Sequence, residues 1–336
     1  MRISDYDYQL PEERIAQFPP EVRGQTRLLV LNKKTGEMEH RSYSDLADYL
    51  SAGDLVVLND TKVIKARLIA TNTKGQPREL LLIESHGPQN PHNRTAIYRG
   101  KISKSEILKI ANTKIKIEAI LDGGLAKISS EANLLDLAEK YGNVPLPPYM
   151  KRQATKEDQK RYQTTFAKDD GSVAAPTASL NFTPELAQKL ESKGVIVVYL
   201  TLHVGLGTFL PIRTDNVEEH TMHSEYFEIP TETVRAIKNA KRVCAVGTTV
   251  ARTLEYSASK ILKSDDALSG EADIFMYPGY QFKLVDVLLT NFHAPRSTVL
   301  MLTAAFAGWE NLQKAYQEAL AKQYDFLSYG DSMLVY

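Results

Sequence analysis

"FKLVDVLLTNFHAPRSTVLMLTAAFAG", residues 282–308, runs from an apolar strand through a polar loop into a helix. "VCAVGTTVARTLEYSAS", residues 243–259, repeats that order. Between them in kind is "FTPELAQKLESKG", residues 182–194, a helix with Thr183 as N-cap, Pro184 at its first position and Gly194 at its end. It feeds the continuous apolar strand "VIVVYLTL", residues 195–202. Strands that are apolar throughout are buried on both faces, and strands alternating with helices make a largely parallel sheet. The chain is therefore read as α/β, with a large domain built on a mixed, largely parallel sheet.

Outward from this core the texture changes twice. "RLLVLNKKTGEMEHRSY" reads as two strands joined by a Thr-Gly turn. "SDLADYLSAG" reads as a helix with Ser44 as N-cap and Gly53 as stop, followed by the buried strand "DLVVLND". From about Lys65, short alternating strands follow one another without helices: "ARLIAT", "RELLLIES", "RTAIYRG", "TKIKIEAIL" and "LAKISS", with a hairpin turn at Asp122-Gly123-Gly124. That pattern describes a small β-barrel. It is placed at 66–144 as an insertion into a parent domain formed by 1–65 and 145–336. The proline run "VPLPPYMKR" returns the chain to the parent.

Composition narrows the function. The 336 residues are enough for two domains. Formal net charge is zero, which argues against a protein that coats nucleic acid regardless of sequence but not against an enzyme touching part of an RNA. The single cysteine, Cys244, lies in an apolar strand and reads as a small hydrophobe; it can form no internal disulfide. The first twenty residues contain no apolar leader core, and no run approaches the ~20 apolar residues of a membrane span. A cytoplasmic monomer without membrane association is expected.

In parallel sheets ligands bind beyond the carboxyl ends of the strands. Four such ends can be read. They present Asn59, Asp60 and Thr61; Thr201, His203, Gly205, Gly207 and Thr208; Gly247, Thr248 and Thr249; and Thr290, Asn291, His293, Arg296, Ser297 and Thr298. Glycines allow close backbone approach, hydroxyls donate, and helix starts attract anionic groups. Thr and Ser also cap helices, so each loop alone has a purely structural reading. "GLGTF" lacks the glycine spacing of a dinucleotide fingerprint, and "GTTVART" has no Lys-Ser/Thr of a phosphate-binding loop. His220 and His223, with Glu225 and His203 near in sequence, raise a metal site. Helical zinc motifs use His-x-x-x-His with an embedded Glu, and that spacing is missing. Histidines also serve as acids and bases near neutrality without such spacing.

Several stretches occur together and in order: "LPEERIAQFP", "LVVLNDTKVIKARL", "PLPPYMKR", "VAAPTASLNFTPEL", "LHVGLGTFLP", "HTMHSEYFEIP", "DIFMYPGYQFK", "LLTNFHAPRSTVLML" and "SYGDSMLVY". The set resembles the S-adenosylmethionine:tRNA ribosyltransferase-isomerase family of queuosine biosynthesis, from Tyr8 to Tyr336. The resemblance implies a large α/β domain with an inserted β-barrel. It implies transfer and isomerisation of the ribosyl group of S-adenosylmethionine onto the 7-aminomethyl-7-deazaguanine at the wobble position of a tRNA. Epoxyqueuosine forms, adenine and methionine leave, and neither a separate cofactor nor a metal takes part.

Under that reading His203, His220, His223 and His293 form the acid/base pool, with packing duty the alternative for each. The expected binding set is Thr177, Asn181, Gly205, Gly207, Thr208, Glu225, Gly247, Thr248, Thr249, Asn291, Ser297 and Thr298. Phe209, Tyr226 and Glu225 are candidates to hold the sulfonium. Arg94, Arg99, Lys101, Lys151, Arg152, Lys160 and Arg161 are candidates for tRNA phosphates, a solvated charged face being the plainer reading of any one. The chain departs from the family pattern at Ser179, where Gly is usual, at Asn181, where His is usual, and at Leu210, where Arg is usual. Those departures keep a catalytically impaired RNA-binding relative open as an alternative, beside a His-cluster metal-dependent hydrolase.

Overall fold

The computed structural model describes residues 1–83, 90–205 and 212–336. A hairpin opens the chain, β1 (Arg27–Leu31) and β2 (Met38–Ser42), followed by the buried strand β3 (Leu55–Asn59) and the short β4 (Thr61–Val63). Six strands come next: β5 (Arg67–Thr71), β6 (Pro77–Leu82), β7 (Asn93–Arg99), β8 (Ile107–Ile110), β9 (Thr113–Leu121) and β10 (Leu125–Ser130). They close into a barrel in the order β10-β7-β6-β5-β8-β9. Helices α1 (Leu134–Tyr141) and α2 (Lys156–Arg161) lead to β11 (Asp169–Ser172), which pairs with β4.

The remaining chain alternates strand and helix. In order come α3 (Pro184–Ser192), β12 (Ile196–Leu202), β13 (Glu225–Ile229), α4 (Thr231–Asn239), β14 (Val243–Val246), α5 (Thr248–Ile261), β15 (Leu268–Ala272), β16 (Val287–Asn291), α6 (Thr298–Ala307), α7 (Trp309–Ala321) and β17 (Ser332–Val335). Among the described residues the large sheet has nine strands, ordered β15-β13-β12-β3-β14-β16-β17-β1-β2.

The α/β reading holds, with one refinement. The neighbours β12, β3, β14 and β16 run parallel, as do β17 and β1. Pairings of β13 with β12 and β15, of β16 with β17, and of β1 with β2 are antiparallel. The apolar strands that read as parallel form the centre; β12 leaves Ile196 and Tyr199 exposed, while β3 and β14 are covered on both faces. Successive residues of β3 show this: Leu55 and Val57 enter one hydrophobic cluster, Val56 and Leu58 the cluster on the opposite face. In β14, Val243 and Ala245 share the first cluster and Cys244 and Val246 the second. The barrel carries a separate core including Leu68, Leu80, Leu108, Ile115 and Ile117, against which Leu134 and Leu137 of α1 pack.

Three local expectations are corrected. The segment after β2 is a 3₁₀ turn, Tyr43–Asp48, started by Ser42 in a reciprocal capping box with Asp45, and not an α-helix started by Ser44. Tyr43 and Leu46 are both fully buried, and a spacing of three residues matches the 3₁₀ repeat. Strand β8 and helix α1 escaped notice because each is short, four and eight residues. No helix among the described residues is long and apolar enough to cross a membrane.

Candidate functional site

The site gathers where the central strands end. β14 delivers Gly247 at φ +100°, a conformation that L side chains rarely adopt, and α5 begins there without a side-chain cap. β16 delivers Asn291 and, after a short loop, Ser297. The Ser297 hydroxyl accepts from the Leu300 N–H at 3.2 Å, capping α6, and donates to the Ala294 carbonyl at 2.7 Å. The starts of α5 and α6 thus converge on a cleft of two chambers. The larger, about 730 Å³ counting the space open to solvent, is walled by Thr177, Gly247, Thr248, Thr249, Asn291, His293 and Ser297 with Tyr149 and Ser328. A smaller, narrower chamber shares Thr248 and Thr249 and adds Glu225, Arg252 and Thr298.

His293 is held from three directions. Its Nε2 lies 2.7 Å from Thr290 Oγ1, its N–H donates to the Tyr316 hydroxyl at 2.9 Å, and its carbonyl accepts from the Tyr8 hydroxyl. Burial pushes its pKa down to about 3, so the ring is neutral near pH 7. Thr177 Oγ1 donates to Asn291 Oδ1 at 2.8 Å, and the Tyr149 and Ser328 hydroxyls are 2.5 Å apart. Burial pushes the Tyr149 phenol up to about 12, keeping it protonated. In the smaller chamber Glu225 accepts from Arg252 Nη1 at 2.5 Å and from the Gly205 N–H at 2.8 Å. Arg252 Nη2 donates to the carbonyls of Ala272, at 2.6 Å, and His223. Burial pulls the guanidinium pKa down, against the raising effect of Glu225. Two hydroxyl walls, a neutral imidazole, two helix starts and a buried ion pair suit a ligand that is part nucleoside and part charged.

The family described as queuosine biosynthesis protein matches residues 3–335. The chain belongs to that family. It is 55% identical to an S-adenosylmethionine:tRNA ribosyltransferase-isomerase of Chlorobaculum parvum, over the whole of both chains. It is 44% identical to one of Francisella tularensis subsp. novicida, again over both entire chains. The crystal structure of the S-adenosylmethionine tRNA ribosyltransferase of Thermotoga maritima matches with a TM-score of 0.57 at 35% identity, covering 99% of this chain and 100% of that one.

Against the family motifs, the structure sorts the residues singled out in the sequence. Thr177, Gly247, Thr248, Thr249, Asn291, His293 and Ser297 share the larger chamber, and Glu225 and Thr298 the smaller. Gly205 adjoins them through its bond to Glu225. Gly207, Thr208, Phe209 and Leu210 lie outside the described residues. His203 walls neither chamber: it is buried, with Nδ1 2.8 Å from Thr61 Oγ1 and its ring near that of Tyr226. His220 and His223 sit in extended chain and not on a helix. His220 packs edge-on to Phe275, with a pKa lowered by burial and by His223, while His223 is exposed. Among the described residues no three His, Cys, Asp or Glu side chains are grouped as metal ligands.

Asn181 lies beside the N-terminal segment, accepting from the Gly24 N–H at 3.2 Å, and walls neither chamber. Ser179 is fully buried with its hydroxyl unpartnered among the described residues. Of the basic set, Arg152 is bound to Asp158 at 2.6 Å and to the Gln17 carbonyl, and Arg161 to the Pro20 carbonyl. These two strap the N-terminal segment down. Arg94 is half-buried, Lys151 is paired with Glu12, and Arg99, Lys101 and Lys160 are exposed on the surface. Sequence reasoning assigned no role to Tyr149, Ser328 or Arg252. The first two lie within "PLPPYMKR" and "SYGDSMLVY", quoted above only for their resemblance.

Proposed function

We propose that the chain catalyses transfer and isomerisation of the ribosyl group of S-adenosylmethionine onto the aminomethyl nitrogen of 7-aminomethyl-7-deazaguanine at the wobble position of a tRNA. Epoxyqueuosine-tRNA, adenine, methionine and protons are the products. The observation that carries the reading is His293 in the wall of the larger chamber, its ring hydrogen-bonded to Thr290 and its backbone held by Tyr316 and Tyr8. The sulfonium acidifies the adjacent 5′-carbon, and a neutral imidazole is the form able to take a proton there. His293 is assigned that step. Asn291 and Thr177, joined at 2.8 Å, offer amide and hydroxyl groups to the adenine or ribose. Tyr149 and Ser328 remain hydroxyl donors for leaving-group or ribose oxygens. His203, His220 and His223 are assigned supporting roles. Asn181, placed against Gly24, does not bear on proton transfer, so an active enzyme is proposed despite its departure from the family pattern.

The tRNA is proposed to meet the exposed Arg99 and Lys101 of the barrel, and the protein to act as a cytoplasmic monomer. The test uses two labels of S-adenosylmethionine and a tRNA bearing the aminomethyl base. Ribosyl label entering tRNA with stoichiometric adenine release supports the reading; methyl label entering tRNA instead overturns it.

A further inference from the structure

The two chambers meet at Thr248, Thr249 and Val299, so they form one bent cleft with its neck at the start of α5. Their linings differ in chemistry. The larger offers hydroxyl and amide groups between apolar surfaces such as Pro176 and Leu327. The smaller is walled by Met222, Phe275, Met276 and Leu302 around the Glu225–Arg252 pair. Three polar groups along this smaller wall have no hydrogen-bond partner among the described residues: Thr249 Oγ1, Thr298 Oγ1 and Arg252 Nε. Thr298 and Arg252 are each only 5% exposed. A buried polar group left unmatched costs about 1–3 kcal/mol, so three around one small cavity are best explained by a ligand that completes them.

We infer that the smaller chamber holds the α-amino-acid end of S-adenosylmethionine, with its carboxylate at the starts of α5 and α6 against the Thr249 and Thr298 hydroxyls, while the adenosine occupies the larger chamber. This assignment rests on the function proposed above. Charge supports it. Glu225 and Arg252 sum to zero, and the amino-acid end is a zwitterion of zero net charge. Its ammonium faces the Glu225 side and its carboxylate faces two helix starts, where partial positive charge and N–H groups gather. The methionine and phenylalanine walls match the soft, sulfur-bearing chain between the two charges. Ser297 is excluded from this role, because its hydroxyl is already engaged at both its donor and acceptor sides.

The experiment compares two nucleosides, S-adenosylhomocysteine and 5′-methylthioadenosine, which differ by the presence of the amino-acid end. Their affinities are measured by calorimetry for the native chain and for Thr298→Val, Thr298→Ser and Thr249→Val. Loss of a carboxylate hydrogen bond in Thr298→Val is expected to weaken S-adenosylhomocysteine about tenfold. Methylthioadenosine should stay within about twofold, and Thr298→Ser should restore binding. Thr249→Val gives the same reading if Thr298→Val melts before the assay temperature. Equal weakening of both nucleosides, or weakening of neither, overturns the subsite. A native chain that binds neither nucleoside overturns the proposed function together with the subsite.

Discussion

Strands β12 and β16 lie in the same parallel group, and each releases a histidine just past its carboxyl end, His203 and His293. Their surroundings are opposite. Over His203 passes the backbone of β11, so close that a Cβ on Gly171 would stand 2.7 Å from the ring. Its Nδ1 is bonded to Thr61 and its ring lies 6.2 Å, centroid to centroid, from that of Tyr226. The His293 ring instead forms part of the cleft wall. A histidine at a strand end is therefore packed under the chain or left in the cleft wall by its surroundings, and the strand end alone does not decide which.

Three measurements break or sharpen that contrast. The largest effect is expected from His293→Gln, which keeps hydrogen bonding but cannot take a proton. Turnover should fall roughly a hundred- to ten-thousand-fold, with S-adenosylhomocysteine affinity changed far less. An equal fall in His203→Gln, in fully folded protein, would erase the distinction. Next comes Gly171→Ala, which drives a methyl into the His203 ring. Chemical denaturation should show a loss of about 1–3 kcal/mol, with turnover of the folded enzyme within about tenfold of native. A collapse of turnover at undiminished stability would move His203 into the reacting set.

The smallest effect is on pH dependence. The folded pKa of His293, about 3, lies below its ordinary value of 6.5. Between those values the unfolded chain binds the proton and the folded chain does not, so stability is full above 6.5 and is lost as pH falls. The stability gap between native protein and His293→Gln should shift by roughly 1–2 kcal/mol against the native chain from pH 7 to pH 5. A gap that stays constant would mean that water reaches the ring.

The parts of this molecule that were legible in the sequence are those where one physical demand acts. Continuous apolar runs such as "LVVLN" and "VCAV" became strands of the parallel centre buried on both faces, whereas "VIVVYLTL" did so only in part, with Ile196 and Tyr199 left exposed. Thr183 and Pro184 can do little but start a helix, and Thr183 accepts from the Leu186 N–H. Where a residue type serves two demands, the sequence was silent. Ser297 and Thr298 are adjacent hydroxyls at one helix start, yet one is consumed by capping and the other is left unpartnered. Arg252 looks like an ordinary helix-surface cation. Only the approach of Glu225 from β13, far away along the chain, makes it a buried one. His220 and His223 look paired in sequence, but the extended backbone there gives one ring to Phe275 and the other to solvent.

Strand β17, four residues long, sits between β16 and β1 and joins the opening hairpin to the rest of the sheet. Its register sets Leu28 beside Ser332, almost the whole chain apart. During synthesis the β1–β2 hairpin must wait, its inner edge unpaired, until β17 has been made. Ser328 of the cleft and Tyr316, which anchors His293, arrive equally late. A chain lacking residues 316–335 has no finished cleft, and deletion of β17 should cut the sheet in two.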